Sequence, residues 1–447
     1  MLDTIRNAFA TGDLRKKILY TLMILVLFRI GSAIPVPFLN PAAIAEMIGD
    51  NPGDFLNYIN VMTGGALENA TVFAMSITPY INASIIMQLL TVAIPALGRW
   101  QKEGEEGRKK IGKITRYLTV GLAFVQALGY FLLVRNGGDG AEPVLQEHLK
   151  TGWQSWFVMA VIIIAFVAGT AIIVFLGELI SQKGIGNGIS IILFAGIISR
   201  GPSAIAALIR WWGFGFGEEP GVYYPEYFVI VPLIVLIFIA MITFIIIMTN
   251  AERRIPVQYS KRVVGRKMYC GQSSHIPIKV SMSGVMPIIF ASSLMSMPSM
   301  ILRFVKPESG FWVGFFNLFN TTSWFYAVLY FLLIIGFNYF YVAIQYNPIE
   351  ISNNLRKNNG AIPGVRPGKP TSDFIQRVLS KVTFLGAMFL GLIAVFPTLF
   401  AQFSPNEEMR HIGLGGTSIL IIVGVALETM RTLESQMMMR HHKGFLE

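Results

Sequence analysis

The chain is poor in charge and nearly free of cysteine. Of its 447 residues only 14% are Asp, Glu, Lys or Arg, while 53% are hydrophobic. A soluble domain carries about 25% charged residues. Half that share leaves too little polar surface to coat a water-soluble body. A single cysteine, Cys270, excludes a disulfide scaffold. The 33 Phe, 15 Tyr and 7 Trp exclude a disordered chain. Catalytic and metal-ligating groupings are missing too: His148, His275, His411, His441 and His442 are scattered. Gly364–Pro370 comes nearest to a phosphate loop, but it lacks a spacer and the hydroxyl residue after Lys369. These absences point away from an enzyme and from any cofactor, and toward a polytopic membrane protein driven by a partner or a gradient.

What is present is a series of apolar runs. A spanning helix needs roughly 20 apolar residues, and ten stretches qualify: 18–36, 75–97, 116–134, 153–177, 187–208, 227–249, 280–302, 323–345, 380–402 and 413–435. The expected fold is therefore all-α, with ten transmembrane helices. Arg15, Lys16 and Lys17 precede the first span with no cleavage pattern before Pro35 and Pro37, so no cleavable signal peptide is expected.

Most of the 36 lysines and arginines fall in the N-terminal tail, the 2/3, 4/5, 6/7 and 8/9 loops and the C-terminal tail. The positive-inside rule puts that side, with both termini, in the cytoplasm. Two loops exceed what topology requires. The 6/7 loop (251–279) carries Arg254, Lys261, Arg262 and Arg266, and its alternating Ile255, Val257 and Tyr259 predict a hairpin with a turn at Lys261–Gly265. The 8/9 loop (346–380) carries Arg356, Lys357, Arg366 and Lys369. Both suit docking of a large anionic partner, or anchoring to anionic lipid.

Two short patterns recur. Pro79–Ser84 and Pro287–Ser292 both read P-x-I-x-A-S, in spans 2 and 7. Gly184–Ile191 opens span 5 much as Gly413–Ile419 opens span 10. The offset of five spans is odd, so the second half (227–435) would insert upside down relative to the first (1–208). This is an inverted-topology repeat, with 209–226 as an outer hinge loop and 436–447 as a cytoplasmic tail. Ionisable residues are nearly absent from the spans. Arg29, Arg200 and Glu428 lie near span ends, where snorkelling accounts for them. Beside the motif prolines and glycines stand Ile77, Ile81, Ile189, Leu193, Ile289 and Ile421. They are either packed helix faces or a narrow constriction that blocks ions by dewetting. The long 1/2 loop contains Ala66–Ala74, helix-capable but too short to span. It is either an interfacial segment or a short helix folded back into an external funnel.

The stretches Phe73–Thr91, Gly184–Gly196, Ile276–Ser293, Asn347–Gly368 and Gly415–Ile421 resemble the SecY/Sec61-alpha family of protein-conducting channels, and the resemblance runs essentially end to end. It implies a pore ring at Ile77, Ile81, Ile189, Leu193, Ile289 and Ile421. A plug helix is implied at about 63–73, including Thr63, Gly64, Gly65, Ala66 and Leu67. A lateral gate is implied between spans 2/3 and 7/8, with Asn82, Gln88, Gln126 and Ser281 as polar candidates; the family usually has asparagine at the position of Ser281. Arg366 matches an arginine used for partner coupling. The implied partners are the SecE and SecG subunits, the SecA motor ATPase, the ribosome including rRNA contacts by the basic loops, signal sequences and nascent polypeptides, and membrane lipid. The implied place is the bacterial plasma membrane. A secondary transporter of a small solute also explains the repeat, but it would need a midplane ion site. A membrane-anchored scaffold explains the loops but not the repeat.

Overall fold

The computed structural model describes residues 6–443 apart from 7, 50–59, 61–62, 137–152, 215–226, 260–261, 265–266, 270–272, 306–313, 315–317, 320–322 and 404–415. Each expected span falls on a helix. The first half contributes α1 (Gly12–Gly31), α2 (Pro41–Gly49), α3 (Thr78–Ala93), α4 (Pro95–Lys102), α5 (Glu105–Asn136), α6 (Trp153–Lys183), α7 (Gly188–Ile198) and α8 (Gly201–Phe214). The second half contributes α9 (Tyr227–Asn250), α10 (Met286–Val305), α11 (Trp324–Gln345), α12 (Pro348–Lys357), α13 (Lys369–Phe403) and α14 (Gly416–Lys443). Among the described residues five helical stretches are long and apolar enough to cross a bilayer, two of them running through a junction (Gly188–Trp212 across α7 and α8, Trp324–Lys357 across α11 and α12), and the α3–α4 pair meets the same test as a broken span.

Some boundaries differ from expectation, each for a local reason. Span 2 ends at Ala93, because Ile94 precedes Pro95 and is held extended (φ −106°, ψ 111°). The chain there bends by 107° into α4. Span 5 breaks at Ser199–Arg200 and resumes as α8, so residues 209–214 of the expected hinge loop are helical. The rest of that loop lies outside the described residues. Span 9 begins at Lys369, which makes the last part of the expected 8/9 loop helical as well.

Both P-x-I-x-A-S motifs start a helix. Pro79 and Pro287 lie in the first turns of α3 and α10, where a missing N–H costs nothing. Asn187 caps α7 by accepting from Ile189 N at 3.2 Å, and Asn347 caps α12 by accepting from Ile349 N at 3.1 Å.

Apolar burial divides into three main cores. Ile44, Tyr130, Phe131, Ile162 and Phe166 anchor one within the first half. Ile245, Ile288, Ile334, Phe389 and Leu420 anchor one within the second. In the third, Ile24, Phe28, Ile173 and Ile192 of the first half meet Ile421 and Val425 of the second. Among the described residues the halves touch where α10 meets α3 and α5, and where α14 meets α7.

The 6/7 loop is a hairpin, β1 (Glu252–Tyr259) antiparallel to β4 (Ser273–Lys279), with Ile255 opposite Ile276. Its tip departs from expectation. β2 (Arg262–Val264) pairs β3 (Lys267–Tyr269), so 262–264, expected within the turn, are strand, while Lys261 and Gly265 lie outside the described residues. The β-branched Val263 and Val264 favour extended pairing. A fifth strand, β5 (Gly360–Ala361), comes from the 8/9 loop and pairs the other edge of β1, giving the order β4-β1-β5.

Candidate functional site

Residues 63–77 fold back between helices as successive turns, not as the expected helix. Left-handed backbone at Ala70 (φ 48°) and Ser76 (φ 47°) interrupts any helical run. The segment is tied by an antiparallel bridge between Pro35 and Thr71, with Val36 N donating to Ala70 O at 2.9 Å and Val72 N to Ile34 O at 3.0 Å. Its seat is cut to backbone width. A Cβ added at Gly169 of α6 would lie 2.0 Å from the Val72 carbonyl oxygen. One added at Gly64 (φ 69°) would lie 2.5 Å from Gly196 O and from Ser199 Oγ. Thr63, Ala66 and Leu67 are buried. Phe73 stacks on Phe28, with centroids 5.9 Å apart, and covers Gly31. Glu68 forms an ion pair with Arg200.

Next to this segment lie five of the six aliphatic candidates. Ile77, Ile81, Ile189, Leu193 and Ile421 share one cluster with Phe73. Helical spacing explains the grouping: Ile77 and Ile81 are one turn apart at the start of α3, as are Ile189 and Leu193 on α7. Ile289 is half-buried and outside that cluster. Val285 packs against it instead. The repeat signals Val285, because it stands two residues before Pro287 as Ile77 stands two before Pro79.

The polar gate candidates belong to, or just precede, the elements that meet at the α10 seam but are not bonded to one another. Asn82 and Gln88 are on α3, Gln126 is on α5, and Ser281 precedes α10; among the described residues no hydrogen bond links the four. The buried Oδ1 of Asn82 has no partner. A neighbouring network went unseen in the sequence. Ser283 Oγ donates to Asn338 Oδ1 of α11, and Asn338 Nδ2 donates to Thr383 O of α13 at 2.9 Å. This staples the start of span 7 to spans 8 and 9. An ion pair, Arg116 Nε to Glu178 Oε1 at 2.6 Å, joins α5 to α6.

The basic loops form one body. Ile255, Val257, Ile278, Leu355, Ile362, Ile375 and Leu379 make a core under the three-stranded sheet. Arg254 is exposed and pairs with Glu252 at 2.7 Å. Arg366 is exposed on a turn whose Gly364 (φ 79°) and Gly368 (φ 107°) are left-handed, and its carbonyl accepts from Thr371 Oγ1 at 2.8 Å. Arg262 is in β2, while Lys261 and Arg266 lie outside the described residues. Burial first, and then the nearby Arg431, push the Lys279 ammonium below its ordinary range, against the pull of Glu252 and Glu428.

No grouping of His, Cys, Asp or Glu that could hold a metal occurs among the described residues. The class that these features define is a multi-pass α-helical membrane protein with a re-entrant segment where its halves meet. Residues 71–430 match the SecY family. Over the full length of both chains this protein is 42% identical to the protein translocase subunit SecY of Streptomyces coelicolor, and 40% identical to that of Mycobacterium tuberculosis. The chain belongs to the SecY family. Its fold is similar to a solved protein-conducting channel (TM-score 0.63, 20% identity, 94% of this chain and 91% of that one). It is also similar to Sec61 in the canine ribosome-channel complex of the endoplasmic reticulum (TM-score 0.58, 20% identity, the same coverage).

Proposed function

We propose that this protein is the channel through which unfolded secretory polypeptides cross the bacterial plasma membrane and from which membrane-protein segments pass sideways into lipid. The observation that carries this reading is the clustering of Ile77, Ile81, Ile189, Leu193 and Ile421 beside the infolded segment, where the two halves meet. Branched aliphatic side chains offer a solute nothing to bind. They can close around a passing chain and exclude ions by dewetting when it has gone. Residues 63–73 act as the plug of the resting channel. The α10 seam with α3 and α5 acts as the lateral gate, because a segment of roughly 20 apolar residues gains by leaving the pore for lipid.

The chain is a channel subunit and not an enzyme, so the work comes from outside. The sheet of the 6/7 and 8/9 loops, with Arg254 and Arg366 exposed, faces the cytoplasm and holds the driver, alternately the SecA motor and the ribosome. Both termini are cytoplasmic. The two halves are an inverted repeat, clamped by SecE and SecG. The matching left-handed turns before Pro79 and Pro287 support the repeat. A small-solute transporter is not favoured, since the aliphatic cluster holds no ion ligand.

The test uses the single native cysteine. Cys270 is changed to Ser, and one new cysteine is placed at Ile81, with a control at the exposed Leu236 of α9. A secretory chain carrying its own cysteine is stalled in transit. Disulfide cross-linking at position 81 and not at 236 is expected. A stalled chain confirmed in the membrane but unlinked at 81 would remove the pore assignment.

A further inference from the structure

We infer that Arg200 is a positioning residue that latches the plug segment to the helix carrying part of the aliphatic ring. The inference rests on the reading of residues 63–73 as the plug. Arg200 lies in the break between α7 and α8, its N donating to Ile197 O at 3.3 Å. Near a span end it was expected to snorkel toward water. Instead its Nη2 bonds Glu68 Oε2 of the infolded segment. The same carboxylate oxygen accepts from Asn60 Nδ2 at 3.0 Å, while Asn60 Oδ1 accepts from Glu68 N at 3.1 Å. Asn60 is only 2% exposed. Its amide therefore holds the Glu68 backbone and carboxylate in one orientation, aimed at the guanidinium.

The close approach is built into the sequence. A Cβ at Gly65 (φ 86°) would sit 3.2 Å from Arg200 Nη2, and Gly64 packs against Gly196 and Ser199. Two glycines thus let the segment lie against the end of α7. The strength suits a latch. Arg200 and Glu68 side chains are 33% and 39% exposed, so water screens the pair and it shifts an equilibrium by about two- to fivefold. That biases the closed state without locking it. α7 carries Ile189 at its other end and Leu193 at its middle. Widening the ring by moving α7 therefore pulls directly on the latch.

Resting ion conductance of the purified complex in planar bilayers tests this. Arg200→Gln and Glu68→Gln should each raise it about two- to fivefold. Arg200→Lys should raise it less, and the exchange Glu68→Arg with Arg200→Glu should return it toward wild type. The gap between wild type and the single variants should narrow as salt rises from about 0.1 M to about 1 M, where the screening length falls from about 10 Å to about 3 Å. Unchanged conductance in correctly assembled single variants overturns the latch, and so does an exchange variant as leaky as the singles. Deletion of residues 63–73 separates the two readings. If deletion raises conductance and the single variants do not, the plug stands and the latch falls. If deletion changes nothing, the plug reading fails and the latch with it.

Discussion

Ser76 and Gly284 hold the same left-handed backbone, φ 47° and 61°, each three residues ahead of a motif proline, Pro79 and Pro287. The turn and the proline together set where α3 and α10 begin. A Cβ added at Gly284 meets nothing within 4 Å, so its cost is backbone strain alone. Gly284→Ala should destabilise the protein by about 1 kcal/mol. Ser76→Gly trades relief of that strain against added unfolded-state freedom and should stay within about 0.5 kcal/mol. Thermal unfolding of the two variants in detergent distinguishes them, and equal losses would mean that the left-handed turns do not matter.

Gly169 gives a sharper test of the plug seat. Its missing side chain is replaced by the Val72 carbonyl, which is backbone and cannot swing aside. Gly169→Ala should displace the segment, cost about 1–3 kcal/mol and raise resting conductance. Gly121→Ala on α5, where a Cβ meets nothing, is the control and should leave conductance unchanged. A Gly169→Ala channel as tight as wild type would argue against the seat.

Asparagine in the aliphatic ring should wet it. Ile81→Asn places an amide inside the cluster, at about 1–3 kcal/mol if it finds no partner. Ile289→Asn, half-buried like Ile81 but outside the cluster, should cost less stability. Ile81→Asn should increase ion leak and admit weaker signal sequences, and Ile289→Asn should do so less. Unaltered leak and selectivity in the pair would count against the ring.

Arg366 is exposed, and among the described residues its hydrogen bonding is through its backbone. Arg366→Glu should therefore change stability by no more than about 0.5 kcal/mol. Motor-driven transport into inverted vesicles should fall by about tenfold or more, with the channel still inserted. Undiminished transport would move the docking site elsewhere.

Lys279 supplies a pH test outside the spans. Its native value lies below the ordinary 10.5, mainly through burial. Between the two values the unfolded chain holds the proton that the folded one has lost, so stability rises with pH there. Below the native value the folded state carries the full penalty of a partly desolvated charge. Lys279→Met should abolish this slope, and the melting difference between variant and wild type should shrink as the pH is raised toward 10.5. A gap that widens instead would reverse the assigned sign.

The legible parts of the fold were those set by local periodicity. Runs such as Tyr227–Asn250 could only be buried or in lipid, and alternation at Ile255, Val257 and Tyr259 required a strand. Proline punctuation went unread: the expected spans open at 75 and 280, ahead of Pro79 and Pro287, whose helices start only at Thr78 and Met286. Contacts across long sequence separations were not legible. Nothing periodic in Gly360–Ala361 marks it as the partner of Gln258–Tyr259. Asn338 reads as an interruption in an apolar run until Ser283 and Thr383 are beside it. Arg200 looked like an interfacial cation because its acidic partner lies 132 positions away. The infolded segment looked helical because composition does not reveal that Ala70 is left-handed, next to the bridge between Pro35 and Thr71.

The pairing of β5 with β1 makes the two basic loops mechanically one object. Separate loops would each yield to a load like a slack tether and pass little of it on. In the three-stranded sheet, a push near Arg366 travels along β5 and β1 to β4, whose end at Lys279 lies only a short turn from the start of α10. The Ser283–Asn338–Thr383 staple holds that turn to α11 and α13. On the proposed reading the sheet is a rigid crank, with its handle at the driver's docking face and its shaft on the helix that lines the α3 and α5 seam.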